Sequence, residues 1–535
     1  MFLEYNYSVA VKNIAAISLG ECIFLKETIL ILDFGGSYSQ LLARKIRKNN
    51  VYCEILPYNA DISRIRSLNP KGIVLTGNIV GSNLNEMSLC TEEIFKLGCP
   101  VLGINYGALV LTKMLGGSIS ALNQTEECAK VLTSLEKKSI LFKSIETENY
   151  SWLNQTVDIE KVPKGYNITG KTKEGKTCAF ENEEKNIYGL LFHPEVSETV
   201  SGNEILRAFL YDVCKVSGTW NMKTYVEEII EDLKEKFQDS KVLLGLSGGV
   251  DSAVCAALVG KAIGRNLTCI FVDHGFMRKN EGEQIKEVFT KQFDINLVCV
   301  DARQRFLEKL AGVTDPEAKR KIIGKEFIEV FQEEARKVGA MDFFVQGTIY
   351  PDVIESGVGN IKVVKSHHNV GGLPEDIQFG ELVEPLRSLF KDEVRQCGLE
   401  LGLPKDIVMR QPFPGPGLAI RVIGEVTEEK LEIVREADHI FREEIAKSGL
   451  DTELNQYFTV LTNMRSVGVR NNLRTYDYTI ALRAVITTDF MTAKWARIPY
   501  DILEKVSERI INEVEHVNRV VYDITGKPPA TIEWE

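Results

Sequence analysis

Residues 241–262 read KVLLGLSGGVDSAVCAALVGKA, and the order of residue types along this stretch sets the architecture. Lys241–Leu246 is an apolar run of strand length, Ser247–Ser252 reads as a turn, and Ala253–Ala262 has the Ala, Leu and Val content of a buried helix. A strand that is apolar on both faces and feeds a helix through a tight turn is the unit of a parallel sheet. Gly248 and Gly249 let the backbone approach an anion closely, and the helix start adds unsatisfied N–H donors and a positive dipole end. Ser247 and Ser252 contribute hydroxyls, and Asp251 offers a hard oxygen suited to Mg²⁺. A Gly-Gly turn capped by Ser and Asp can also be purely structural. The full string Ser247-Gly248-Gly249-Val250-Asp251-Ser252 between strand and helix points to phosphate instead. No lysine follows the glycines, so this is not a G-x-x-x-x-G-K-[ST] loop.

The same alternation recurs on both sides. Upstream lie the apolar runs Thr28–Asp33, Gly72–Leu75 and Pro100–Ile104, with a helix at Gln40–Lys48. Downstream lie Cys269–Val272, Leu297–Val300 and Phe343–Gln346. A chain of 535 residues exceeds one core, since single cores stop growing at roughly 250–300 residues. The pattern breaks at Cys214–Asn221, a charged amphipathic helix follows at Tyr225–Phe237, and the prolines of Gln411–Gly417 mark a second boundary. The expected class is α/β: two doubly wound parallel-sheet domains, 28–214 and 220–410, plus a smaller α+β C-terminal domain, 411–535. Residues 1–27 read as an N-terminal extension. Ile14–Leu19 is apolar, but only Lys12 precedes it and no clear cleavage site follows, so a secretory signal is not expected.

A net charge of −11 and a pI near 5.4 argue against a general binder of nucleic acid or a membrane surface, which needs a basic face, while net charge leaves room for a local basic pocket for an anionic substrate. No apolar run approaches the ~20 residues of a membrane span. Eleven cysteines without a C-x-x-C pair read as reduced thiols of a cytoplasmic protein. His367-His368 lacks a third ligand at usable spacing and is not read as a metal site.

The Ser247–Ser252 loop resembles that of the N-type ATP pyrophosphatases, which cleave ATP between its α and β phosphates and leave AMP on an oxygen. Further strings narrow the resemblance: FVDHG at 271–275, GTIYPDVIES at 347–356, KSHHNVGGLP at 365–374, FKDEVR at 390–395, PFPGPG at 412–417 and KPPATIEWE at 527–535. Their succession is similar to the GMP synthetase family across essentially all of 28–535. The resemblance implies adenylylation of xanthosine 5′-monophosphate (XMP) at its C2 oxygen by ATP with Mg²⁺, then displacement of AMP by ammonia. It also implies that Ser247, Gly248, Gly249, Val250, Asp251, Ser252 and Val272 hold ATP and that Asp251 and Asp352 hold the metal. Lys365 and Lys391 would stabilise phosphate charge, Arg320, Lys527, Ile532 and Glu533 would hold XMP, and residues 411–535 would form a homodimer. The Arg470–Leu473 stretch departs from the Gly-rich acidic turn usual in the family. Two other readings are a diverged enzyme acting on another purine nucleotide and a non-catalytic nucleotide-binding regulator.

Residues 28–214 resemble a class I glutamine amidotransferase domain, which needs a nucleophilic cysteine at the centre of G-x-C-x-G. Here the turn reads Gly103-Ile104-Asn105-Tyr106-Gly107. An asparagine is not a nucleophile, so a glutamyl thioester cannot form. The partners His193 and Glu195 remain. Two family strings are also altered: G-G-P aligns with Gly77-Asn78-Ile79, and W-M-S-H-G-D with Trp152–Val157. The expectation is a vestigial glutaminase site and a synthetase that uses free ammonia, or ammonia from a separate glutaminase.

Overall fold

The computed structural model describes residues 26–36, 38–77, 87–121, 128–154, 156–355, 379–470, 472–487 and 492–535. The extension before Lys26, the string carrying Lys365 and His367-His368, and Asn78, Ile79, Gln155 and Asn471 lie outside them. Residues 26–225 form one unit; 226–353 and 379–535 belong to the other.

The first unit contains β1 (Thr28–Asp33), β2 (Tyr52–Pro57), β3 (Gly72–Thr76), β4 (Val101–Ile104), β5 (Ser118–Ala121) and β6 (Cys128–Leu135). It continues with β7 (Glu148–Asn154), β8 (Val157–Lys161), β9 (Asn167–Thr172), β10 (Thr177–Asn182) and β11 (Ile187–Leu190). Nine of these make one sheet in the order β2-β1-β3-β4-β11-β10-β9-β6-β7, while β5 and β8 pair separately. The half from β2 to β11 is parallel, as its unbroken apolar strands require, with Ile29–Leu32 fully buried. From β11 to β7 every pairing is antiparallel, so this sheet is mixed. The helix Ser39–Lys48 buries Leu42, Ala43 and Ile46 and carries three basic residues in its last turn, where the dipole favours them.

In the second unit β12 (Val242–Gly245), β13 (Leu267–Asp273), β14 (Asn296–Asp301), β15 (Met341–Val345) and β16 (Phe379–Val383) form a wholly parallel sheet, order β14-β13-β12-β15-β16. The order reverses at β12, so the loop leaving it opens at the switch point where doubly wound sheets place ligands. Beyond the Pro-rich loop come β17 (Gln456–Arg470), β18 (Leu473–Ile486), β19 (Lys494–Trp495) and β20 (Val517–Tyr522), with the helices Glu428–Lys447 and Tyr500–Glu513. One buried core joins this sheet to the five-stranded one: Ile270 and Val272 belong to it together with Leu418, Val434, Phe441 and Leu482.

Candidate functional site

The loop after β12 is tighter than a free turn. Gly248 has φ +80°, and a Cβ there would lie 2.6 Å from Met277 Cε. The Gly249 N–H donates to Ser247 Oγ at 3.2 Å, Ser247 Oγ lies 3.0 Å from Ser252 Oγ, and the Ser252 hydroxyl donates to Gly249 O at 3.1 Å. The helix runs Val250–Ile263, so Val250, Asp251 and Ser252 are its first turn and not part of the loop as expected. No side chain caps that helix start, which leaves its N–H groups facing the loop.

Lys391 opens the helix Lys391–Glu400 and places its ammonium 2.7 and 2.8 Å from the two Asp251 oxygens. Gly347, just after β15, packs so close that a Cβ would sit 3.2 Å from the backbone of Asp251 and Ser252. Asp352 follows at the same strand end, its Oδ2 accepting from the Ile349 N–H at 3.1 Å. Among the described residues no three His, Cys, Asp or Glu side chains are grouped to hold a metal. Magnesium that arrives on a nucleotide needs only one or two carboxylates beside phosphates and water, and Asp251 and Asp352 offer hard oxygens of that kind. Val272 is buried in the core, which leaves only its backbone for a ligand. The neighbouring His274 is also buried; its Nδ1 accepts from the Phe276 N–H at 3.0 Å, and burial pushes its pKa down to about 4.

The residues expected at XMP gather around the last strand-like stretch. Lys527 exchanges backbone hydrogen bonds of 2.8 and 2.9 Å with Ala493, and Ile532 packs into a small core with Phe458, Val460 and Val485. Arg320, on the helix Pro316–Val338, donates to the backbone oxygen of Glu535 at 2.5 Å. Arg421 grips the Glu533 carboxylate at 2.8 and 3.1 Å. Sequence reasoning missed three fully buried cations that hold this stretch. Lys319 donates to Val422 O at 2.8 Å and pairs with Glu535, Arg421 holds Glu533, and Arg483 donates to Thr531 O at 3.0 Å. The available signal was a charge inside an apolar run, as in Leu418–Ile423 (LAIRVI).

In the other unit Asn105 sits between β4 and the helix Tyr106–Met114 with φ 49° and ψ −108°, a strained elbow. Its frame demands glycine: a Cβ at Gly107 would lie 2.0 Å from Leu75 O, and one at Gly103 would lie 2.6 Å from Gly107. The Asn105 amide nitrogen lies 2.5 Å from His193 Nε2, and His193 Nδ1 lies 2.7 Å from Glu195 Oε1. All three are buried, and Tyr38 meets the imidazole edge-on at 4.7 Å. An amide that donates to Nε2 fixes the tautomer whose Nδ1–H donates to Glu195. Asn105, His193 and Glu195 thus come together as a triad's geometry would require, with a carboxamide where the nucleophile would stand.

Family models match along the chain: Glutamine amidotransferase class-I over residues 30–213, NAD synthase over 222–320 and GMP synthase C terminal domain over 443–534. The chain is 61% identical over 509 residues to the GMP synthase [glutamine-hydrolyzing] of Acetivibrio thermocellus, covering 95% of this chain and 99% of that one. To the enzyme of the same name from Ruminiclostridium cellulolyticum it is 59% identical over 510 residues, again 95% and 99%. Among solved structures, a glutamine amidotransferase from Thermotoga maritima aligns with 36% of this chain and 99% of its own, at 16% identity and a TM-score of 0.31.

Proposed function

The chain belongs to the GMP synthase family of ligases, and on that premise we propose that it aminates XMP with ammonia that its own N-terminal unit does not generate. The C2 oxygen of XMP attacks the α-phosphorus of ATP and pyrophosphate leaves. Ammonia then adds at C2 and AMP departs with the oxygen, giving GMP. An amide-like oxygen leaves poorly and AMP leaves well, which is why ATP is spent at the α–β linkage.

The loop Ser247–Ser252 would grip the pyrophosphate through its N–H groups and hydroxyls. Lys391, within reach of Asp251, would balance charge as the α–β bond opens. Asp251 and Asp352 would hold Mg²⁺, which lowers the charge on the phosphates when bound. Lys365 would act from the segment outside the described residues. Arg320, Lys527, Ile532 and Glu533 would bind XMP. The domain limits 28–214, 220–410 and 411–535, a homodimer formed through the last of these, and a cytoplasmic setting belong to the same proposal.

The observation that carries the nitrogen source is Asn105. Its amide nitrogen lies 2.5 Å from His193 Nε2, and a carboxamide, its nitrogen pair delocalised into the carbonyl, is far too weak a nucleophile to replace a thiolate in attack on glutamine. The names of the relatives state glutamine hydrolysis; this chain departs from that at its elbow. Purified protein with XMP, MgATP and ammonium is expected to form GMP, while ammonia-free glutamine gives none. Equal rates from both sources would overturn the loss of glutaminase. No GMP from either would overturn the synthetase reading, and turnover of another purine nucleotide in place of XMP would favour the diverged enzyme.

A further inference from the structure

We propose that Arg421 is the positioning residue that sets the Glu533 carboxylate for nucleotide recognition, and that a buried chain of charges holds it there. This rests on Glu533 binding XMP, as proposed above. Arg421 closes the short helical turn Gly417–Arg421 that follows the Pro-rich loop and has no exposed surface. Its Nη2 and Nε reach Glu533 Oε1 and Oε2 at 2.8 and 3.1 Å, a two-point grip that stops the carboxylate from rotating. The guanidinium lies 4.0 Å from the Phe458 ring centroid and 5.1 Å from that of Phe413, so it cannot swing away either. Glu533 keeps 17% of its side chain exposed, so the carboxylate is still open to a ligand while Arg421 holds it.

The grip continues away from the nucleotide. Asp438, almost fully buried, lies 3.8 Å from Arg421 Nη1 and 3.4 Å from Arg278 Nε, and its Oδ1 accepts from the Thr459 N–H at 3.1 Å. Arg278 in turn reaches Glu281 at 3.3 Å. Glu281 begins the helix Glu281–Lys291, whose Ile285 lines the cradle of Gly248. The chain Glu281–Arg278–Asp438–Arg421–Glu533 therefore runs from beside the phosphate loop to the XMP-binding stretch. Buried ion pairs add little stability over apolar side chains of the same shape. The two Asp438 contacts are Coulombic, since Asp438 Oδ2, Arg278 Nε and Arg421 Nη1 make no hydrogen bond among the described residues, and what they supply is opposite charge beside each buried guanidinium.

The test separates this from a merely structural role by reading KM for XMP and KM for ATP in ammonia-dependent turnover. Arg421→Lys keeps the charge but loses the fork, and is expected to raise KM for XMP about tenfold or more with KM for ATP within about twofold. Glu533→Gln should do the same, and the double variant should be no worse than the poorer single, because both break one contact. Asp438→Asn, nearly isosteric, should raise KM for XMP about threefold, and it carries the test if Arg421→Lys does not fold. An XMP KM unchanged in Arg421→Lys or Asp438→Asn, effects that multiply in the double variant, or both KM values rising alongside a lower melting temperature would overturn the proposal. A wild-type protein inactive on XMP would instead sink the functional reading, and this proposal with it.

Discussion

A carboxamide at position 105 fills the space of a thiol's surroundings without supplying a nucleophile, and the rest of the elbow is built to present one. Restoring the thiol is therefore expected to restore covalent chemistry. Asn105→Cys should be labelled at residue 105 by an electrophilic diazo-ketone analogue of glutamine, while the natural chain takes up no label in residues 26–225. Intact-mass and peptide analysis reads both. Cys90 and Cys178 are poor competitors there, since burial pushes them up to about 11 and about 12. Labelling of the natural chain in that unit would sink the assignment of Asn105 as the missing nucleophile. This triad was legible in sequence because a Gly-x-Asn-x-Gly turn and a His-Pro-Glu string are local patterns. Arg421, Asp438 and Lys319 were not, because what marks them is burial among distant partners.

At the scale of an element, the strand–loop–helix at Val242–Ile263 was legible almost to the residue. Its helix starts three positions earlier than the apolar run suggests, because Val250 is buried and Asp251 and Ser252 serve as well in a first helical turn as in a loop. Gly248 is the position least able to change. Gly248→Ala would force a side chain into the left-handed region and against Met277, at a cost of about 1–2 kcal/mol. If the loop holds phosphate as proposed, it should raise KM for ATP about tenfold by displacing the loop N–H groups. An unchanged KM for ATP in steady-state assays would mean that the loop does not hold the nucleotide. The antiparallel half of the first unit's sheet was less legible, since strands such as Thr177–Asn182, buried along their whole length, carry no alternation to betray an antiparallel partner.

The whole second unit should feel the burial of His274. A histidine with a folded pKa of about 4 binds fewer protons than the unfolded chain, where the value is about 6.5. Its contribution is complete above about pH 6.5 and is lost as pH falls toward 4, up to about 3 kcal/mol in all. Chemical denaturation at fixed pH values should show His274→Gln with a flatter acid limb than the natural chain over that window. Coincident limbs would show that His274 is not what loses stability there. The sequence by itself determined the α/β class, the Ser247–Ser252 string between strand and helix and the asparagine in the Gly103–Gly107 turn, because each is written in neighbouring residues and periodicity. Only the tertiary structure decided that Leu418, Val434, Phe441 and Leu482 share one core with the five-stranded sheet, that Lys391 meets Asp251 across 140 positions, and that Glu533 is held through Arg421. Such pairings depend on how separate elements pack, and packing joins residues that no local pattern relates.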